Sequence, residues 1–238
     1  MLLATGATRR VGFRNARELA FLGANERYNV DRELHAVTRM LTLLEQAGIE
    51  PIEDMRLVVP KHAEDAWPRV RTALGVSSTY VAFAPTSRWS SKAWPADHWR
   101  SLALAVLAKG VEHVALLGAP HERAELAAIA AVNPSKISVL AGEATVGVSM
   151  AAVRDARMLV ANDSAMLHAA VGFNTPLVGL FGPTDPVVSG PFGRLADTLR
   201  APEAIARSVH YRDRGLGNGL MRLIEVNDVC DRVIGALA

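Results

Sequence analysis

Between residues 80 and 182, short apolar runs recur with no polar residue at every second place: YVAFA (80–84), HVALLGAP (113–120), ISVLAG (137–142), MLVAND (158–163) and LVGLFG (177–182). A strand with one wet face alternates apolar and polar residues, so runs of this kind need covering on both faces. Helical stretches separate them. Pro95 suits a first turn and Asp97 puts a carboxylate at the positive helix end. Trp99, Leu102, Ala103, Val106 and Leu107 then share one stripe, and Gly110 ends the helix. Glu122–Ala131 and a stretch around Ser149–Ala156 read as further helices. Ser164–Phe173 is apolar nearly all round and reads as a buried one. Strands alternating with helices predict an α/β fold built on a parallel sheet, which binds ligands beyond the carboxyl ends of its strands.

The first 76 residues read differently. LLAT suggests a strand and RRVGF a second, while residues 15–33 are polar and irregular. His35–Ala47 predicts a helix with Val37, Met40, Leu41 and Leu44 on its apolar stripe, stopped by Gly48. LVVP (57–60) predicts a strand and Ala66–Leu74 a short helix. That is too little to close an α/β domain, so the expected division is a partial unit over 1–76 and a complete one over 77–238.

Composition narrows the classes. With 238 residues, half of them hydrophobic, the chain can bury a core without disulfide or metal support. Its one cysteine, Cys230, rules out an internal disulfide or a cysteine zinc cluster. A formal charge of +2 gives no argument for nucleic acid. No apolar run nears the roughly 18 residues of a membrane span, and MLLATGATRR is too short for a secretory signal. The expectation is a soluble cytoplasmic protein.

Chemistry concentrates at four strand ends. In TSRWSSKAWPADHW (86–99), Thr86, Ser87, Ser90 and Ser91 are compact donors, and Arg88 and Lys92 bring positive charge. The loop either holds a phosphate, with Lys92 as a point charge, or is a solvated loop with snorkelling basic chains. Trp94 and Trp99 read as packing residues. In VANDSAMLH, Asn162 or Asp163 caps a helix beginning around Ser164, whose free N–H groups at Ser164, Ala165 and Met166 suit a pyrophosphate; an ordinary cap is the plainer reading. His168, one turn on, reads as a satisfied core histidine. Glu122 stands at a third strand end, placed to accept from ribose hydroxyls. In LFGPTDPVVSGPFG (180–193), Thr184, Asp185 and Ser189 either reach a ligand or belong to an irregular turn. No P-loop, G-x-G-x-x-G, G-x-S-x-G or clustered metal-ligand pattern is present, and GLGNG (215–219) has the wrong spacing and context. Arg207, His210, Arg212 and Arg214 form a basic cluster, ordinarily a solvated face but able to attract an anionic surface.

Taken together, APTSRWSSKAWPADHW, LLGAPHE, VANDSAMLHAAVG and PLVGLFGPTDP…GPFG, in this order, resemble glycosyltransferase family 9, which includes the ADP-heptose:lipopolysaccharide heptosyltransferases. VGF, NERYNV and HAVTRMLTLLEQAGI also look like the end of that family's N-terminal domain. The resemblance implies a GT-B architecture, with a donor-binding C-terminal Rossmann-like domain facing an acceptor-side domain, truncated here. It implies inverting transfer from a nucleotide-diphosphate sugar of the ADP-linked type, with no metal or other cofactor. The implied acceptor is a lipid-linked glycan, with peripheral contact at the cytoplasmic face of the inner membrane.

Carried over by resemblance, Thr86, Ser87 and Lys92 belong to the donor loop, Lys92 on the diphosphate, and Glu122 is a ribose contact. Asp163, Ser164, Ala165 and His168 match the family's D-[TS]-G-x-x-H turn, with Ala165 in place of its glycine. Asp163 is then near the sugar hydroxyls. The family's first strands, glycine-rich turn and general-base carboxylate are expected upstream of Met1, and no Asp or Glu in residues 1–34 stands after a strand in that context. Such a chain is expected to bind a nucleotide diphosphate and to turn over poorly. The alternatives are a non-catalytic nucleotide-sugar-binding or partner-binding module, or an assembly completed by a separate chain.

Overall fold

The computed structural model describes residues 2–16, 19–202 and 212–238. Two short parallel strands, β1 (Val11–Phe13) and β2 (Glu26–Tyr28), pair with Val11 opposite Glu26. The main sheet comprises β3 (Val81–Ala84), β4 (Val114–Leu116), β5 (Ile137–Val139), β6 (Met158–Asn162), β7 (Leu177–Phe181) and β8 (Thr198–Arg200). All neighbours are parallel, in the order β5-β4-β3-β6-β7-β8. From β3 the chain winds outward to β5, then returns to β6 beside β3 and winds the other way. The carboxyl ends of β3 and β6 therefore border a topological switch point.

The described α-helices are α1 (Ala36–Gln46), α2 (Lys61–Ala73), α3 (Ala96–Ala108), α4 (Arg123–Ala130), α5 (Val146–Asp155), α6 (Ala165–Phe173), α7 (Pro186–Ser189), α8 (Arg214–Arg222) and α9 (Val226–Leu237), with short 3-10 turns between elements. Each central strand buries both faces, as its unbroken apolar run requires. Val81, Phe83, Leu116, Val160 and Leu180 meet Trp99, Leu102 and Val106 of α3, Leu126 of α4 and Val229 and Val233 of α9. The opposite residues Tyr80, Ala82, Leu117, Leu159 and Phe181 meet Ala63 and Trp67 of α2, Val148 and Ala151 of α5 and Leu167 of α6. Each large apolar side chain buried this way contributes roughly 1.5–3 kcal/mol. Sheet pairing changes after residue 76, but packing crosses that line, because α2 lies on the main sheet.

Several expectations near the start fail. LLAT is a 3-10 turn, Leu2–Thr5. The segment 57–60 is extended but unpaired, its Leu57 N–H donating to the Gly172 carbonyl at 3.0 Å while Val58 is 83% exposed. A Cβ on Gly172 would lie 2.4 Å from Leu57, so the glycine is what lets this segment cross the end of α6. Helix α2 starts at Lys61, behind Pro60 at its N-cap, and tolerates Pro68 because Ala63 and Trp67 are buried. Met40 is exposed; α1 is covered near its end, at Leu43 and Ala47, where Arg9 Nη2 donates to the Ala47 carbonyl. Residues 15–33, read as irregular, contain β2. Helix α6 is not buried all round: Leu167, Ala169 and Ala170 are, while Ala165 and His168 are exposed.

One buried polar pair makes stability depend on pH. His113, at the amino end of β4, is buried, with Nε2 2.9 Å from Ser138 Oγ. That hydroxyl donates to the Leu74 carbonyl at 2.7 Å, so it accepts from His113 Nε2–H and fits the neutral ring. Burial holds the His113 pKa below the ordinary imidazole value. The unfolded chain then binds the extra proton first, so stability is full above about pH 6.5 and falls as pH drops through that value toward the folded pKa. Thermal melts are expected to show Tm falling from pH 7.5 to pH 5. His113→Gln, melted in parallel, should reduce that slope; an unchanged slope would place the dependence elsewhere.

Candidate functional site

A cavity of about 690 Å³ opens at the switch point. Its wall includes Thr86, Ser87 and Lys92 from the loop after β3, Glu122 after β4, and Asp163, Ser164 and Ala165 where β6 turns into α6. Register explains the meeting: Ala84 pairs with Ala161, so the loops leaving β3 and β6 emerge side by side.

Lys92 is not free in the cavity. Its Nζ lies 2.7 Å from Asp163 Oδ2, with the two side chains 16% and 9% exposed. Ser87 Oγ approaches the Asp163 carbonyl at 3.5 Å. Glu122 Oε2 accepts from the Ala119 N–H at 2.6 Å, capping the 3-10 turn Pro120–Glu122. A Cβ on Gly118 would lie 2.5 Å from Leu126, 3.0 Å from Glu122 Oε2 and 3.6 Å from Thr86 Oγ1, so the bare backbone there keeps this corner open.

The expected cap of α6 is corrected. Its N-cap is Ser164, whose side chain makes no capping bond and whose Oγ is buried without a hydrogen-bond partner. Asn162 and Asp163 are engaged elsewhere: Asp163 with Lys92, and Asn162, fully buried, with main-chain groups of Pro85 and Trp94. The first turn of α6 thus faces the cavity without a side-chain cap. Free N–H groups and the helix dipole favour an anion there.

His168 is neither a core residue nor part of the cavity wall; it is exposed beside it. Crowding by the surrounding protein, together with the neighbouring His35 and Lys92, lowers its pKa, and Asp163 pulls the other way. Thr184, Asp185 and Ser189 belong to the turn reading. Asp185 accepts from the Val187 N–H at 2.9 Å, Ser189 Oγ donates to the Asp185 carbonyl, and none lines the cavity. Trp94 and Trp99 are packing residues, 2% and 0% exposed. Trp89, by contrast, lines the cavity, with the Arg88 and Arg212 guanidinium carbons each 5.9 Å from its ring centroid. Arg207 and His210 of the basic cluster lie outside the described residues.

Two contributions escape motif reading. Ala144, Thr145, Val146 and Ser149, at the start of α5, form one side of the cavity. Their signal was a threonine three residues before Val148, whose N–H its Oγ1 caps at 3.3 Å. Glycine in GLGNG serves packing: a Cβ on Gly217 would lie 2.3 Å from Ser91 Cβ, so α8 can press against the turn carrying Lys92.

A doubly wound parallel sheet with a cavity at its switch point defines the class of α/β proteins that bind ligands beyond the carboxyl ends of their strands. The chain belongs to glycosyltransferase family 9 (heptosyltransferase), whose profile matches residues 1–216. Lipopolysaccharide heptosyltransferase 1 of Escherichia coli K12 is 28% identical over 203 residues, 84% of this chain and 61% of that protein. Lipopolysaccharide heptosyltransferase 3 of the same strain is 31% identical over 165 residues, 66% of this chain and 47% of that one. The chain thus spans about 61% of the first relative's length. Its fold is that of the solved GT-B heptosyltransferases. The E. coli ADP-heptose lps heptosyltransferase II structure has TM-score 0.76 at 22% identity, covering 98% of this chain and 71% of that one. E. coli heptosyltransferase WaaC with ADP has TM-score 0.66, also at 22% identity, covering 95% and 64%. Among the described residues, no helix is long and apolar enough to cross a membrane, and no three His, Cys, Asp or Glu side chains are grouped to hold a metal ion.

Proposed function

We propose that residues 77–238 form the donor domain of an inverting glycosyltransferase whose cavity takes a nucleotide-diphosphate sugar of the ADP-heptose type. The observation that carries this is the uncapped first turn of α6 facing the same cavity as Lys92, in a chain of this family. The solved E. coli WaaC structures with ADP and with ADP-2-deoxy-2-fluoro heptose support the choice of nucleotide and sugar. In the reaction an acceptor hydroxyl oxygen bonds to C1 of the sugar from the face opposite the leaving group. The bond from C1 to the phosphate oxygen breaks, and the hydroxyl proton passes to a base. The nucleoside diphosphate that departs carries the developing negative charge. Lys92 and the N–H groups of Ala165 and Met166 lie where they can stabilise it. Glu122 and Thr86 would bind the ribose, and Asp163 the sugar hydroxyls once Lys92 turns to phosphate. The acceptor would be a lipopolysaccharide-core or other glycan, presented at a membrane surface.

A second reading, a binding module without turnover, has its own support. All residues of the cavity wall lie at position 84 or later, and its carboxylates, Glu122 and Asp163, are already hydrogen-bonded or ion-paired. Calorimetric titration with ADP, UDP and GDP tests the donor site. Saturable binding of ADP in preference to the others is expected; no binding by the folded chain would refute the site. Release of ADP from ADP-heptose in the presence of a glycan acceptor separates enzyme from module.

A further inference from the structure

We propose that Asn162 is a positioning residue whose single buried carboxamide closes the base of the donor loop and so sets the places of Thr86, Ser87 and Lys92. This rests on the donor-site reading above. Asn162 ends β6 and is completely buried. Its Nδ2 donates to the Pro85 carbonyl, and its Oδ1 accepts from the Trp94 N–H at 3.1 Å. Those partners fix the amide orientation, since only the nitrogen can serve a carbonyl and only the oxygen an N–H. Pro85 and Trp94 stand immediately before and after residues 86–93. One side chain from the neighbouring strand therefore holds both ends of the loop.

The arrangement has a mechanical consequence. Apart from the 3-10 turn Ser90–Lys92, the loop has no regular structure; between its ends it is held by the Lys92–Asp163 pair, by the Ser87 hydroxyl on the Asp163 carbonyl and by α8 packed against Ser91. Fixing its two ends removes conformational freedom that ligand binding would otherwise have to remove. Binding is favoured when the ends are already in place. Asn162 lies at the end of β6, two residues before the α6 N-cap Ser164, and its side chain turns to the loop rather than to the helix.

Asn162→Asp provides a sensitive test because it conserves shape. An ionised carboxylate only accepts, so one oxygen would face the Pro85 carbonyl and repel it; a protonated carboxyl restores the donor. Lys92, Asp163, His168 and His35 border the same region, so wild type at each pH is the reference. Amide hydrogen exchange over residues 86–94 and calorimetric ADP titration are to be measured at pH 5.5 and 8 for wild type, Asn162→Ala and Asn162→Asp.

Expected is at least tenfold weaker ADP binding in Asn162→Ala, with faster exchange confined to 86–94. In Asn162→Asp, both defects should appear at pH 8 and shrink toward wild type at pH 5.5. A folded Asn162→Ala protein with wild-type exchange over 86–94 would overturn the proposal, as would an Asn162→Asp defect independent of pH. If wild type binds no nucleotide, the donor-site reading fails, and exchange alone then decides the clamp: acid-reversible loosening of 86–94 supports it and an unaltered loop refutes it. Should Asn162→Ala fail to fold, the Asp variant carries the same decision.

Discussion

Replacing Lys92 by methionine is expected to destabilise the fold and to abolish most nucleotide affinity, by separable routes. The side chains of Lys92 and Asp163 are 16% and 9% exposed and 2.7 Å apart. Methionine keeps the length but leaves the carboxylate without its cation in a poorly solvated place. Breaking buried pairs in this way costs about 3–5 kcal/mol, and the opening of the cavity to water argues for the lower end. Adding Asp163→Asn removes the stranded charge and should recover most of that loss in a urea melt. Affinity should not recover, since neither variant restores the lysine ammonium to the diphosphate: ADP binding is expected to fall at least tenfold, about 1.4 kcal/mol, in both. Wild-type affinity in Lys92→Met would remove the lysine from the donor site.

Trp94→Ala is expected to cost a comparable amount without touching any charge. The indole is buried, its Nε1–H donates to the Ile224 carbonyl at 3.0 Å, and it meets His98 and Trp99 edge-on at 5.1 and 5.2 Å. Truncating a packed tryptophan costs about 3–5 kcal/mol, which for a chain of this size lowers Tm by roughly 10 °C. Because Trp94 ends the donor loop, ADP affinity should fall as well. Trp94→Phe keeps the ring and loses the hydrogen bond, so it should cost about 1 kcal/mol and largely preserve binding. Calorimetric melts of both variants decide this; equal losses would mean that the hydrogen bond, not the packing, holds the loop.

Local chemistry explains why some elements were readable and others were not. Runs such as YVAFA and MLVAND carry both buried faces in their composition, so they announce strands wherever they occur. VVP at 58–60 has the same composition but finds no partner strand, and only the folded chain shows that Leu57 bonds to α6 instead. Helix α9 sets aspartates between its apolar positions, yet Val226, Val229, Val233 and Leu237 keep helical spacing. The strand β2 has three residues, two of them charged, and no periodicity to read.

The candidate site divides in the same way. Residue types at the strand ends already named its components: hydroxyls and a lysine after β3, a carboxylate after β4, and small residues opening α6. These are local facts, set by what a turn or a helix start requires. Pairing is not local. That Lys92 holds Asp163, that Asn162 ties both ends of a loop 68 to 77 residues distant in sequence, and that His168 stands outside the cavity wall all depend on β6 lying beside β3. Strand order is a property of the whole sheet, decided by which faces can be covered at once, and no short stretch of sequence contains it.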